Sequence, residues 1–484
     1  MEGSPTLFHS LLHVEDPERS RRAPCSLLSG DSMSTSNRLF GTDGIRGEAN
    51  RYPMDGPTAY AVGQALVHVM KERSGTPRIV IGRDTRVSGP MLESALEAGI
   101  MSMGGCPRTV GVLPTPGIAF LTRSTGADAG VVISASHNPF QDNGIKIFSH
   151  QGLKLSDEEE SRMEALLTAG TLRDLRCAAK DIGRPELPDD VEQSYVDFLK
   201  SSFPQDLSMK GMKLILDTAN GATYRVAPQT LAQLGAHVEV IHHHPTGYNI
   251  NDRCGSQHTE DLQRRVTDSG AFAGLAFDGD GDRLIAVDEK GRRLSGDQIL
   301  IICSKVLKDL GQLRDDLLVS TVMSNLGLKV ACGKLGIRHH ASKVGDRSVL
   351  EDMQRLGAVI GGEESGHMIF LHHHTTGDGI LAAIQLMAAS IREDKPLSEL
   401  SGLMDIFPQK LINVTVKSKP DINQVPPVLE AIREAEVQLG EEGRVLVRYS
   451  GTENLCRVMV EGPTDEATEK HCSRIAEAVK KALG

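Results

Sequence analysis

The chain has 484 residues, 39% apolar, 24% charged and 4% aromatic, with 49 Gly, 22 Pro and no Trp. This excludes a disordered or fibrous polymer and predicts two to four compact domains. A formal net charge of -11 excludes a whole-protein field that gathers nucleic acid or anionic lipid, so an anionic ligand needs local cations.

No window holds the 18 or more apolar residues of a membrane span, because the run at 299–306 is broken by Ser304 and Lys305. Eight cysteines without a C-x-x-C pair suggest neither a zinc site nor a disulfide framework, and fit a reducing, cytoplasmic location. In chain order, residues 1–36 mix Ser, Pro, Arg and Gly without period and lack a signal-peptide plan. They are expected to form a disordered extension, with Met33 a candidate translation start. From there, strand-like runs alternate with helical periods, the pattern of α/β architecture with largely parallel sheets. Residues 78–81 (RIVI) read as a strand, and 91–103 as an amphipathic helix with Leu92, Leu96 and Ile100 on one face. Ser156 and Glu159 form a capping box and Gly170 a stop, predicting a helix over 157–169. An apolar run ending in a glycine-bearing polar loop recurs at 127–139, 271–283 and 357–367, which predicts three related units whose loops converge on one cleft. The last segment differs: strands at 411–416, 444–449 and 456–461 with helices at 428–439 and 465–483 read as a small α+β cap.

Five loops carry chemical side chains. ISASHNPFQDNGIK at 133–146 presents the Ser136 hydroxyl beside His137 at a strand end, the address of a nucleophile, and adds Lys146; alone it also reads as an Asx or Ser turn. DGDGDR at 278–283 alternates three carboxylates with glycines that let the backbone curl, so hard oxygens face one point and suit Mg²⁺. An EF-hand fails here, because its sixth position is Arg283 and 284–287 reads as a strand; a solvated acidic turn stays open. GGEESGH at 361–367 offers carboxylate, hydroxyl and imidazole for sugar hydroxyls, or is a polar turn. RYSGTE at 448–453, with Arg457 beyond it, is an anion nest by composition or an ordinary hairpin turn. FGTDGIRG at 40–47 adds Arg46. The histidine runs 242–244 and 372–374 read as solvated turn residues and not as metal ligands.

Taken together and in order, these loops resemble the α-D-phosphohexomutase superfamily over residues 37–484. FGTDGIRG, ISASHNPFQDNGIK, TVMSNLGL at 321–328 and GGEESGH resemble its bacterial amino-sugar branch. The resemblance implies an α/β fold of four domains around a central cleft: three similar mixed α/β sheet domains at 37–185, 186–295 and 296–407, and a smaller α+β domain at 408–484. It implies that Ser136 carries a phosphoryl group and must be phosphorylated for activity. Asp278, Asp280, Asp282 and the phosphorylated Ser136 would hold one Mg²⁺, with Arg46, Lys146 and His367 assisting proton or charge transfer. Glu363 and Ser365 would hold sugar hydroxyls, His137 and Lys343 would add to substrate binding, and Arg448, Ser450, Gly451, Thr452 and Arg457 would grip the non-reacting phosphate. The superfamily's commonest phosphate loop has Pro where Tyr449 and Asn454 stand. The implied reaction interconverts glucosamine 6-phosphate and glucosamine 1-phosphate through a bisphosphate, feeding amino-sugar nucleotide and cell-wall precursor synthesis. The rival readings are a mutase for glucose or mannose phosphates, a non-catalytic phosphosugar sensor, and a phosphatase. The expected partner is a small phosphosugar, with no nucleic acid or membrane, and a homodimer is possible.

Overall fold

The computed structural model describes residues 39–41, 43–186, 190–450 and 454–484. The expectations for residues 1–36 and Met33 lie outside them.

Three sheets repeat one plan. In the first, Arg78–Arg83 lies parallel between Cys106–Val112 and Ala129–Ile133, and Asp142–Ser149 then Ile45–Glu48 are added antiparallel. In the second, Lys213–Asp217 lies parallel between His237–Ile241 and Ala273–Phe277, followed antiparallel by Leu284–Val287 and Arg293–Leu294. The third sets Leu317–Thr321 between Arg338–Ser342 and Ile360–Gly362, with Met368–Phe370 antiparallel beyond. In each, the third strand turns into the antiparallel one through a loop that sequence reading marked: 134–141, 278–283 and 363–367. The fourth sheet is wholly antiparallel, in the order Gln409–Thr415, Leu455–Glu461, Arg444–Tyr449, and packs on helices Pro426–Leu439 and Asp465–Leu483.

Local rules account for the ends of these elements. Helix Asp157–Ala169 starts with both bonds of the Ser156/Glu159 capping box and stops at Gly170 with φ +66°. The apolar run at 299–306 belongs to the buried helix Gly296–Asp309, and no described helix is long and apolar enough to cross a membrane. Cys106, Cys177, Cys254, Cys303, Cys332, Cys456 and Cys472 are all free.

One expectation needs correction. His374 is not a solvated turn residue: it is 1% exposed, its Nε2–H donates to Pro116 O at 2.9 Å, and its Nδ1 accepts from Thr375 N at 2.8 Å. The ring also meets the edge of Phe198 at 5.3 Å, so it packs between the first three sheet units. Burial holds its pKa down, from 6.5 to about 4. Below pH 6.5 the unfolded chain binds a proton that the folded chain refuses, so stability falls as pH drops toward 4. The expected loss from this group is on the order of 2 kcal/mol by pH 5. Urea titrations at pH 7 and pH 5 check it: His374→Gln should flatten the difference, and an unchanged difference contradicts the assignment.

Candidate active site

The strand ends bring four of the five loops together. Ser136 follows strand Ala129–Ile133, and its Oγ donates to Asp278 Oδ2 at 2.5 Å, with His137 Nδ1 at 3.3 Å. Strand Asp142–Ser149 pairs Lys146 with Val132, and Lys146 Nζ reaches Asp280 Oδ2 at 2.7 Å and Asp282 Oδ2 at 3.7 Å. Arg46, on the neighbouring edge strand, bonds Asp43 at 2.7 Å and leans on Ala135 O at 3.4 Å. The third loop is zipped onto the second: Arg283 and His367 form an antiparallel bridge, Leu284 N donates to Gly366 O at 3.0 Å, and His367 Nδ1 lies 3.6 Å from Asp282 Oδ2.

The glycines of DGDGD have separate causes. Gly281 takes φ +74°, and a Cβ on Gly279 would meet Ser136 O at 2.5 Å. Only a bare backbone lets the acid loop approach the serine loop this closely.

Asp278, Asp280 and Asp282 are all buried, and each offers an oxygen within 4.8 Å of the others. Among the described residues, Asp280 Oδ1 and Asp282 Oδ1 have no hydrogen-bond partner, although Arg283 Nε lies 3.8 Å from the second. Burial, then Asp282 and Asp280, push the Asp278 carboxyl well above the usual carboxylate range. Burial also opposes ionisation of Asp282, but Lys146 and His367 outweigh it and hold that carboxyl well below the range. A buried acid triad whose hard oxygens are not taken up by hydrogen bonds fits a divalent cation such as Mg²⁺.

The remaining charges are sorted by the same field. Burial works against the cationic forms of Lys146 and His367, yet Asp280 and Asp282 raise the first and Asp282 lifts the second to about 9. Burial and then Arg283 drive His137 down to about 4, so its imidazole is neutral at pH 7.

The sugar-directed residues are arranged more openly. Glu363 Oε1 accepts from Gly345 N at 3.0 Å, Ser365 is exposed with its Oγ 3.5 Å from Glu363 Oε2, and Lys343 is exposed two residues before Gly345. In the last sheet, Arg448 and Arg457 are direct cross-strand partners, and burial followed by Arg457 lowers the Arg448 pKa. Like charges directly opposed repel, which favours an anion beside them. Ser450 is buried beside them, with its carbonyl accepting from Lys419 Nζ at 2.8 Å. Gly451 and Thr452 lie outside the described residues.

Several residues at the site carried no sequence signal. Thr115 opens helix Thr115–Ser124 and ties the first unit to the acid loop, through Thr115 N to Asp280 O at 2.9 Å and Oγ1 to Asp280 Oδ2 at 2.6 Å. Lys154 Nζ bridges Asp43 at 2.5 Å and Asp346 at 2.7 Å, joining the first unit to the third. Arg86 lies fully buried beneath the serine loop. The motif TVMSNLGL proves to be the seat of the last sheet. Asn325 Nδ2 and Leu326 N donate to Glu461 at 3.2 and 3.1 Å, and Arg444, paired with Glu461 at 2.8 Å, also donates to Val322 O and Ser324 O. Glu461→Ala removes the buried acceptor shared by Arg444, Asn325, Leu326 N and Gln409 and should cost about 3 kcal/mol. Faster amide exchange confined to the last sheet checks this, and unchanged exchange contradicts it.

Three sheets of one plan, a fourth antiparallel sheet, and a buried serine against an acid triad define a phosphosugar mutase architecture. Family models described as phosphoglucomutase/phosphomannomutase match here as domain I over residues 37–174, domain II over 193–291, domain III over 295–407 and the C-terminal domain over 411–478. The phosphoglucosamine mutase of Syntrophobacter fumaroxidans is 66% identical over 92% of this chain and 99% of its own length. That of Myxococcus xanthus is 48% identical over 93% of this chain and 98% of its own. The chain belongs to the phosphoglucosamine mutase family of the α-D-phosphohexomutase superfamily. Two solved structures share the fold. A Burkholderia thailandensis phosphoglucomutase/phosphomannomutase family protein has TM-score 0.74 and 22% identity, covering 92% of this chain and 97% of that one. Aspergillus fumigatus N-acetylphosphoglucosamine mutase, in complex with GlcNAc-6P and magnesium, has TM-score 0.67 and 18% identity, covering 92% and 96%.

Proposed function

We propose that this chain interconverts glucosamine 6-phosphate and glucosamine 1-phosphate through a phosphorylated Ser136. The observation that carries the reading is the 2.5 Å contact of Ser136 Oγ with an acid triad that keeps two oxygens without a hydrogen bond among the described residues. Relatives up to 66% identical that bear the name of this activity support the choice of substrate.

The active enzyme starts with a phosphoryl group on Ser136 Oγ. The bond from phosphorus to Oγ breaks as a new bond forms to the free hydroxyl of glucosamine 6-phosphate. The sugar hydroxyl loses its proton, Ser136 is left with one, and the sugar becomes a bisphosphate. After the bisphosphate turns over in the cleft, Ser136 retrieves the phosphate from the other end. Mg²⁺ held by Asp278, Asp280, Asp282 and a phosphoryl oxygen on Ser136 would neutralise the oxygen charge of the transferring group. Lys146 and Arg46 supply fixed positive charge beside it, since Lys146 is held in its cationic form. His367 is held charged against Asp282 and serves the same end. Neutral His137, 3.3 Å from Ser136 Oγ, is the neighbour in a state to take a proton.

Glu363, Ser365 and Lys343 would orient the sugar, while Arg448, Ser450, Gly451, Thr452 and Arg457 would hold whichever phosphate is not reacting. Mounting that grip on a separate sheet allows one site to serve both ends of the sugar. The absence of an apolar span among the described helices is compatible with a cytoplasmic enzyme.

The deciding experiment supplies purified protein with Mg²⁺, glucosamine 6-phosphate and a trace of sugar bisphosphate. Glucosamine 1-phosphate should accumulate, faster than the 1-phosphates of glucose or mannose form from their 6-phosphates. Faster turnover of a 2-hydroxy sugar would move the assignment to its sister mutases. Steady release of inorganic phosphate would make the protein a phosphatase, and binding without conversion a sensor.

A further inference from the structure

The serine loop is held from below by a group with no donor left to offer a substrate. Arg86 has a guanidinium that is 0% exposed, and all five of its N–H donors are committed. Nε bonds Asp84 Oδ2 at 2.8 Å; one terminal nitrogen donates to Pro139 O and to Asp142 O at 3.0 Å; the other donates to Ser136 O at 2.9 Å and Asn138 O at 2.8 Å. Three carbonyls of the serine loop and that of Asp142, where the next strand begins, thus converge on one cation. Asp84 extends the hold, because its Oδ2 accepts from Ser134 Oγ at 2.5 Å, and Ser134 Oγ accepts from Ser136 N at 3.0 Å. From the second sheet unit, Asn251 Nδ2 donates to the same Ser136 and Asn138 carbonyls at 2.9 and 3.0 Å.

This hold maintains a backbone that serine does not choose freely. Ser136 has φ +52°, in the left-handed region that non-glycine residues rarely occupy. Such conformations persist where surrounding contacts over-determine them. The carbonyl and N–H of one trans peptide point in opposite directions. Pinning Ser136 O onto Arg86 and Asn251 therefore turns the His137 N–H to the other side of the peptide, and that N–H has no acceptor among the described residues.

We infer that Arg86 and Asn251 are positioning residues that lock the Ser136–His137 peptide, so that the Ser136 hydroxyl meets Asp278 and the His137 N–H stays free to receive an oxygen of the phosphoryl group. The inference rests on Ser136 being the phosphoryl carrier. Neither residue touches the reacting atoms; both act through the serine loop. The lock also joins two units, because Arg86 stands in the first and Asn251 in the second.

Asn251→Ala and Arg86→Lys test it, with thermal melting, kcat, KM and the ³¹P resonance of the phosphoenzyme measured on each. Asn251→Ala removes two of the six donations that Arg86 and Asn251 make to these carbonyls, and kcat should fall about tenfold with KM within about twofold. Arg86→Lys keeps the charge beside Asp84 but loses the fork, and kcat should fall about 100-fold with the same split. In both, the ³¹P resonance should shift or broaden, a signature that lost stability alone does not produce. Wild-type kcat and an unmoved resonance in folded Asn251→Ala overturn the lock, as does a loss of activity that matches the unfolded fraction. Should Arg86→Lys fail to fold, Asn251→Ala decides alone. Wild-type protein that never phosphorylates Ser136 would instead defeat the proposed function, an outcome read before either variant is made.

Discussion

Ser136→Ala should lower turnover by about 10⁴-fold or more while leaving the protein folded. Ser136 is 2% exposed, and its Oγ is the hydroxyl that donates to Asp278. Alanine cannot carry a phosphoryl group, and no neighbour replaces the oxygen: His137, Lys146 and Arg46 are placed to assist a transfer but not to accept it between two ends of a sugar. The structural cost is small. One hydrogen bond is lost, about 1 kcal/mol, and Asp278, already held toward its protonated form by burial and by Asp282 and Asp280, keeps the hydrogen bond from Arg283 N at 3.2 Å. A melting curve close to wild type, together with a coupled assay at background, is the expected pair of results. A folded variant with near-normal isomerisation would remove Ser136 from the reaction.

Asp280→Asn should reduce kcat by about 10³-fold and raise the Mg²⁺ concentration needed for half-activity at least about tenfold. Asp280 divides its two oxygens. Oδ2 receives Lys146 Nζ at 2.7 Å and Thr115 Oγ1 at 2.6 Å, whereas Oδ1 has no hydrogen-bond partner among the described residues and points to the use of a cation. An amide must set its NH₂ either against the Lys146 ammonium or toward the cation, and both juxtapositions are unfavourable. The substitution also removes a negative charge that holds Lys146 in its cationic form against burial. Activity titrated with Mg²⁺ measures both effects. Wild-type Mg²⁺ dependence in the folded variant would take Asp280 out of the metal site.

The sequence was informative where local chemistry dictates local shape. The Ser156/Glu159 box and Gly170 fixed both ends of one helix, and the thrice-repeated run-then-loop pattern marked the turns that meet at the site. Carboxylates alternating with glycines announced their convergence, because an extended backbone could not bring them together. What stayed hidden depends on partners far along the chain. Thr115 meets Asp280 across 165 positions, and Lys154 meets Asp346 across 192, with no period or motif linking them. Arg86 looked like any charged residue after a strand, yet it is among the largest fully buried side chains. His374 was misread for the same reason: alternation along a strand says nothing about the Pro116 carbonyl, 258 positions away, to which its ring donates. TVMSNLGL was recognisable as wording, but its use as the seat of the last sheet required Glu461, 136 residues beyond Asn325.

The most direct measurement follows the phosphoryl group itself. Protein incubated with Mg²⁺ and glucosamine 1,6-bisphosphate carrying ³²P is digested, and the labelled peptide is sequenced. Label on Ser136 that then chases into unlabelled glucosamine 6-phosphate is the predicted result. Label that stays on the sugar throughout turnover, or that settles on another residue, would contradict the account.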